Sequence, residues 1–135
     1  MTERDTNYRT GDHIERGVKA DAVLEAGKMG GIDVDGFAVE VTDATTVSCV
    51  VGRIDKTVDN TGGADNALRA RIRRNVAFKW DNDGTGDGMI SLPGVVAYAK
   101  DDETVSAETG TAALKAGHVL DVDANGVWVE HDFMA

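Results

Sequence analysis

Apolar and polar side chains alternate over much of this chain, in short runs separated by turns rich in Gly, Asn and Asp. Successive side chains of a β-strand point to opposite faces, so a period of two predicts strands with one buried face. The predicted strands cover residues 23–29, 36–42, 46–54, 68–80, 89–92 and 95–100, followed by a hairpin over residues 118–133. Several short strands with this punctuation predict an all-β barrel or sandwich.

The hairpin prediction depends on the segment HVLDVDANGVWVEHDF, which begins at His118. Its alternation puts four apolar residues on one face: Leu120, Val122, Val127 and Val129. A two-residue Asn-Gly turn would set Asp121 opposite Glu130. A four-residue loop over residues 123–126 would instead pair Val122 with Val127, and Leu120 with Val129. Like charges directly opposite each other destabilise a strand pair, so the longer loop is favoured.

One predicted strand, over residues 68–80, has an apolar face and a basic face. Its even-numbered residues are apolar except for Arg74. Its odd-numbered residues include four cations: Arg69, Arg71, Arg73 and Lys79. Two interpretations remain open. The basic row is either a solvated face that deters edge-to-edge aggregation, or an electrostatic contact to an acidic partner or to a neighbouring copy of this acidic chain.

Among the large aromatic residues, Phe78 and Trp80 follow the apolar face of that strand and are predicted to lie in the core. Trp128 falls on the hairpin face opposite to Val127 and Val129. It therefore either covers a second packing layer or marks a contact surface, since large aromatic side chains are favoured anchors at interfaces.

The first 17 residues are polar, carry mixed charge and contain almost no apolar side chains. They predict a flexible N-terminal arm, followed by a single β-rich domain over residues 18–135. The arm is either a disordered tail or a segment that orders on a partner, and Tyr8 and Arg9 are its candidate contact residues. Helix signal is confined to one short segment, residues 112–116, with Thr111 placed to cap it and Gly117 to end it.

Length and charge narrow the function classes. A chain of 135 residues suits one domain with one core. With 14 Lys and Arg against 24 Asp and Glu, the net charge is -10. Proteins that bind duplex nucleic acid mostly gain affinity by neutralising phosphates, so direct nucleic-acid binding is not expected.

The chain has a single cysteine, Cys49, within an apolar run, and we expect it to be a small buried residue rather than a reactive thiol. No apolar run approaches the roughly 20 residues of a membrane helix, and the N-terminus lacks the apolar stretch of a signal peptide. The expectation is a soluble protein made in the cytoplasm, with no membrane partner.

The strongest motif match is to a calcium loop. Asp121-x-Asp123-x-Asn125-Gly126, followed by Asp132, nearly fits the pattern in which oxygen ligands wrap a hard cation. The motif needs a helix on each side, and here it is embedded in a strand pattern. A calcium-dependent β-rich binding module is therefore kept only as the alternative function. A second acidic turn begins similarly at Asp81 but reaches Leu92 at the last ligand position.

No catalytic constellation emerges from the remaining residues. In the favoured hairpin register His118 and His131 come roughly opposite each other, but two histidines without a third ligand make a poor zinc site. No serine has a nucleophile-elbow setting, and no glycine cluster has a phosphate-binding pattern. The sequence predicts no catalytic residue, no metal site and no cofactor, and hence a protein that is not an enzyme.

Five segments in order carry a family resemblance: AVLEAGKMGGIDVDG, VVGRIDKTVDNTGGADN, RARIRRNVAFKW, GVVAYAKDDETVS and AGHVLDVDANGVWVE. From about Ala22 to Glu130 the chain resembles the small head decoration, or capsid cement, proteins of tailed bacteriophages, of the kind found in Mu-like phages and prophages. Related chains often have glycine where this one has Asn75. Asn is tolerable there because it accepts left-handed backbone conformations better than most residues.

The resemblance implies a compact, small β-barrel or sandwich of β-tulip-like type with at most one short helix. It implies a structural virion protein, synthesised in the cytoplasm of a bacterial host. The protein would sit on the outer surface of the capsid, as a homotrimer, and stabilise the head by bridging subunits of the major capsid protein. The candidate partner-contact residues are Tyr8, Arg9, Arg69, Arg71, Arg73 and Trp128.

Overall fold

The computed structural model of the chain describes residues 3–7, 11–84 and 86–132. Its strands are β1 (His13–Gly17), β2 (Val23–Leu24), β3 (Met29–Asp33), β4 (Ala38–Glu40), β5 (Val47–Ile54), β6 (Val58–Asp59), β7 (Arg69–Arg73), β8 (Ala77–Asn82), β9 (Val96–Ala99), β10 (Thr104–Ser106), β11 (Lys115–Asp123) and β12 (Gly126–Glu130). The helical elements in these residues are two single-turn 3-10 helices, Ala44–Thr46 and Gly86–Gly88. The prediction of an all-β fold containing a barrel is confirmed.

The second half of the chain forms a closed five-stranded barrel in the order β10-β8-β12-β11-β9. The barrel closes because β10 pairs in parallel with β8 and antiparallel with β9. Closure pairs every strand on both sides and leaves no open edge for another chain. Its interior holds mostly small β-branched residues around one large ring, Trp80.

The first half forms a five-stranded sheet in the order β1-β7-β5-β3-β4. The sheet curls strongly, since Val18, just after β1, forms a parallel bridge to Ala38 at the start of β4. Its inner face buries a compact cluster: Val18, Leu24, Ala38, Val51, Ile54, Ala70 and Ile72. The short strands β2 and β6 pair with each other beside this sheet.

Sheet and barrel share a core. Met29, Val41, Val47 and Val50 come from the first half of the chain but pack in the apolar cluster of the barrel. The backbone N–H of Met29 also donates to the carbonyl of Asp102, in the turn between β9 and β10, at 2.8 Å. The central strands β3 and β5 are therefore largely buried, and the exposed side chains of the sheet are concentrated on β1 and β7.

The predicted arm is too long. Residues 13–17 form β1, paired with β7 from His13↔Arg73 to Gly17↔Arg69. Ile14 is the one apolar side chain that this strand packs against the sheet core. A strand held mainly by its backbone ladder shows little hydrophobic alternation, which is why the pattern missed it. Residues 3–7 are exposed and have no regular secondary structure.

The strand predicted over residues 68–80 is two strands in two different sheets. It breaks at Asn75, whose φ of 65° lies in the left-handed region that the sequence analysis expected Asn to tolerate there. Leu68 and Val76, predicted on the buried face, are 43% and 39% exposed because they lie outside the two ladders. Trp80 is buried as predicted, and Phe78 is half-buried against the barrel core.

The hairpin has the favoured register near its turn, with Val122 opposite Val127. The ladder continues to Asp123↔Gly126, so the loop itself contains only two residues. A β-bulge then shifts the register between Val119 and Asp121, which places Val119 opposite Val129. The predicted pairing of Leu120 with Val129 is wrong: Leu120 lies at the bulge and is 53% exposed.

Three further predictions of secondary structure are wrong. The strand predicted over residues 23–29 is interrupted, because residues 25–28 form the turn between β2 and β3. The helix predicted over residues 112–116 does not form: residues 112–113 lie in a turn, where Ala113 has a φ of 50°, and residues 115–116 belong to β11. Residues 89–92 are irregular rather than a strand. Conversely, β10 (Thr104–Ser106) went unpredicted because three residues are too few to display a period of two.

Candidate interaction surfaces

The cations of β7 lie on the outer face of the five-stranded sheet. Arg69, Arg71 and Arg73 are exposed, while the alternating Ala70 and Ile72 point into the sheet core. The predicted two-faced character of this strand is therefore confirmed for residues 69–73. Strand pairing adds a fourth cation, because Arg53 of β5 lies directly opposite Arg73. We call the four arginines, together with Glu15 and Asp55 beside them, the basic face.

Contacts within the basic face are long and few. The carboxylate of Asp55 lies 4.0 Å from both Arg53 Nη1 and Arg71 Nε. Arg69 Nη2 donates to the backbone carbonyl of Glu15 at 3.0 Å. Among the described residues, no carboxylate forms an ion pair with Arg73. Arg53 was missed from the sequence because only the register between β5 and β7 places it here.

Tyr8 and Arg9, the other predicted contact residues near this end of the chain, lie outside the described residues.

Trp128 is half-buried on β12, on the outside of the barrel. Lys79, in the neighbouring strand β8, holds its ammonium group 5.6 Å from the centre of a Trp128 ring. The indole Nε1 donates to Asp123 Oδ2 at 3.3 Å. Trp128 thus has one neighbour over its ring and one on its polar atom, and it presents only part of its surface to a partner.

The calcium-like residues of the hairpin are not brought together. Asp123 accepts from the backbone N–H of Asn125 at 2.7 Å, which lowers the pKa of that carboxyl. Asp132 lies six residues beyond Gly126, about 20 Å along an extended strand, where it bonds His118 Nδ1 at 3.0 Å. Within the described part of the chain, no three His, Cys, Asp or Glu side chains are placed to hold a metal ion.

The two hairpin histidines have different environments. His131 is buried between the strands and the ring of Trp80, whereas His118 is exposed. Trp80 Nε1 donates to His131 Nε2 at 2.8 Å, and His131 Nδ1 lies 2.9 Å from the Ala116 carbonyl. These partners fit a neutral ring that carries its proton on Nδ1. Burial lowers the pKa of His131 to about 4.

The irregular segment before β9 exposes an apolar groove of about 350 Å³. Leu92 and Met89 are 64% and 52% exposed, and Val95 and Tyr98 complete its wall. Contiguous exposed apolar surface on a soluble domain commonly marks a contact site. The groove is not predictable from the alternating pattern, which indicated a strand over residues 89–92.

A buried polar cluster lies at the end of β8, under a pocket of about 380 Å³. Asp83 accepts from Lys100 Nζ and from Ser106 Oγ, each at 2.9 Å. Ser106 Oγ in turn accepts from the backbone N–H of Glu108 at 3.0 Å. Lys100 forms an ion pair with Asp83 and Ser106 is buried, so the cluster has the contacts of a structural brace between β8, β9 and β10.

A second polar contact joins sheet to barrel. Burial, and then a shared hydrogen bond with Asp102, raise the pKa of Glu40 to about 7. Cys49 is buried as predicted, and burial raises the pKa of its thiol.

Comparison of the chain with protein-family models, with curated proteins and with solved structures finds no match. Among the described residues, no helix has the length and apolar character needed to cross a lipid bilayer.

Proposed function

We propose that this chain is a structural virion protein of a tailed bacteriophage. In this proposal it binds the outer surface of the capsid, bridges neighbouring major capsid protein subunits and stabilises the head without catalysing a reaction. The observation that carries the proposal is the basic face: four arginines concentrated on one side of a molecule whose net charge is -10. The order of the five family-like segments along the chain supports the capsid as the partner.

The basic face suits docking on a larger acidic surface. Elsewhere the chain is acidic, so the field around it is strongly polarised and orients approach with this face forward. Exposed charge pairs contribute little affinity by themselves, so a second contact type is needed. The groove at Met89, Leu92 and Val95 offers apolar area for it, against the capsid or against another copy.

Many modest contacts suffice on a symmetric shell. A homotrimer bound over neighbouring subunits engages several copies of the same small site at once, and the effective concentration of each further contact is then high. Each copy stabilises the assembled shell by binding it and not the separated subunits.

The experiment uses purified heads that lack this chain. Added protein should co-sediment with the heads and raise the temperature at which they release their DNA. Neutralising Arg69, Arg71 and Arg73 together, by substitution with Gln, should weaken binding by tenfold or more and flatten its salt dependence, because these charges orient docking. The fold should stay intact, since all three side chains are exposed.

The proposal fails if the wild-type chain neither binds such heads nor makes them harder to disrupt. If the triple variant instead binds heads with the affinity and the salt dependence of the wild type, the basic row faces solvent and does not contact the capsid.

A further inference from the structure

One end of the basic face is an arginine pair whose positions are set by strand register. Arg53 on β5 and Arg73 on β7 are direct cross-strand partners, so their side chains leave the sheet on the same face. Like charges in directly opposed positions destabilise a strand pair. The fold thus carries a repulsion that a Gln or Glu at either position would remove.

Neighbouring carboxylates neutralise this pair only in part, through a long contact to Arg53. Asp55 lies 4.0 Å from Arg53 and is shared with Arg71 at the same distance. Across the other neighbouring strand, Arg73 faces His13 rather than an acidic residue. Within the described residues, Arg73 therefore has no carboxylate of its own chain to meet.

The side-chain chemistry selects the ligand. Each guanidinium carries five N–H donors in a planar fork that fits a carboxylate bidentately. Arg53 commits one donor group, Nη1, to the Ile54 carbonyl at 3.2 Å. Two such groups projecting from adjacent strands can grip one carboxylate from both sides. A polyanionic nucleic acid is disfavoured by the net charge of -10.

We infer that Arg53 and Arg73 together form a receptor for a single carboxylate, an Asp or Glu side chain on an exposed segment of the capsid protein. The inference rests on the proposed function for the identity of the partner. The sequence predicted a general basic contact made by Arg69, Arg71 and Arg73, whereas this inference gives Arg53 and Arg73 a specific ligand. A bound carboxylate would also relieve the repulsion between the two arginines.

The test measures two quantities on each variant: the affinity for purified heads that lack the chain, and the thermal midpoint of the free protein. Arg73→Gln and Arg53→Gln should each weaken binding about tenfold, and the double variant should be no weaker than either single one, since both arginines hold the same group. Arg73→Glu should abolish binding yet raise the thermal midpoint by about 1–3 °C, because Glu pairs with Arg53 across the strands.

Lys56→Gln is the matched control. Lys56 is an exposed cation at the end of the same sheet, three residues after Arg53 and outside the β5–β7 ladder. Its loss removes the same charge but no part of the receptor, so affinity should change less than twofold.

Three results would overturn the inference while the wild type still binds heads. These are additive losses in the double variant, a loss in Lys56→Gln equal to that in Arg73→Gln, or a lowered thermal midpoint in Arg73→Glu. Failure of the wild type to bind heads would remove the proposed function, and the receptor with it.

Discussion

His131 is the most constrained ionisable side chain of the barrel. It is buried, accepts a hydrogen bond from Trp80 on Nε2 and faces the Ala116 carbonyl with Nδ1. Protonation of Nε2 would place a charge in this apolar setting, and the new N–H of Nε2 would point at the N–H of Trp80. The ring links β8, β11 and the end of β12, so its neutral form is part of what holds the barrel closed.

This arrangement makes stability depend on pH. The pKa of His131 is about 4 in the folded chain, against 6.5 for the free side chain. The unfolded chain therefore takes up a proton first as the pH falls. Stability from the neutral ring is fully present above pH 6.5, falls through the window down to pH 4 and is then constant. The loss should be about 2 kcal/mol between pH 7.5 and pH 5.

His131→Gln provides the comparison, because Gln offers both an acceptor and a donor but does not titrate. Urea unfolding of both proteins across this window should show the advantage of the wild type shrinking as the pH falls. The difference in stability between wild type and variant is needed because Glu40 has the opposite effect on the pH dependence. The pKa of Glu40 is raised to about 7, so its protonated form stabilises the fold, and that contribution is lost as the pH rises from 4.5 to 7. An equal pH slope in both proteins would contradict the assignment.

The burial or backbone conformation of a single residue was predictable where its residue type or its immediate sequence neighbours determine it. Cys49 was expected to be buried because of the apolar run around it, and Asn75 to suit a left-handed conformation because of its residue type. Arg53 could not be predicted as part of the basic face. Its place depends on a ladder between strands that lie about 20 residues apart in sequence, and no local pattern encodes that register.

At the scale of elements, the contact between β5 and β7 is unusually close at Gly52. A Cβ atom there would lie 1.9 Å from the carbonyl oxygen of Arg73. Backbone on both strands would have to move to admit any side chain. Gly52 therefore sets how closely the strand bearing Arg53 approaches the strand bearing Arg73.

Gly52→Ala should lower the free energy of unfolding by about 2–3 kcal/mol, as expected for overpacking against backbone. Gly84→Ala is the matched control, since a Cβ at Gly84 meets nothing within 4 Å, and its effect should be within about 0.5 kcal/mol. Chemical denaturation of the three proteins measures both effects. Equal stability of Gly52→Ala and the wild type would show that the two strands are not packed as closely as described.

The elements that the pattern predicted well are those whose strands bury one face over at least four residues, such as β9 and β12. The predicted secondary structure is wrong where a bulge, a turn or pairing between distant strands overrides the local pattern. The bulge at Leu120 moves a residue of the predicted buried face into solvent, and the turn at Ala113 replaces a helix. The strand predicted through residues 68–80 divides because its two halves pair in different sheets, a tertiary outcome that continuous alternation does not reveal.

In the whole molecule, a sheet and a closed barrel share one apolar cluster, and the sheet buries a second cluster of its own. The barrel has no free edge, so its contacts with partners must use side chains, such as those of the apolar groove at Met89, Leu92 and Val95. The sheet instead presents the basic face. A body of this kind suits attachment to a larger ordered surface, with the charged face directing the approach and apolar area adding affinity.

The overall class was predictable from sequence because a period of two and turn residues recur along nearly the whole chain. The candidate surface was predictable only in part: β7 supplied three arginines in one row, but the pair of Arg53 with Arg73 at one end of that row and the apolar groove depend on how distant segments meet. The identity of the partner depends on the family resemblance, which only a binding experiment can test.

Electron cryo-microscopy reconstructions of heads lacking this chain, before and after the protein is added, show directly whether and where it binds the shell. We expect new density on the outer surface of the shell, over the seams between capsid subunits, with β7 and its arginines turned toward the shell. Identical reconstructions, or bound density with the basic face directed at solvent, would contradict the proposed function.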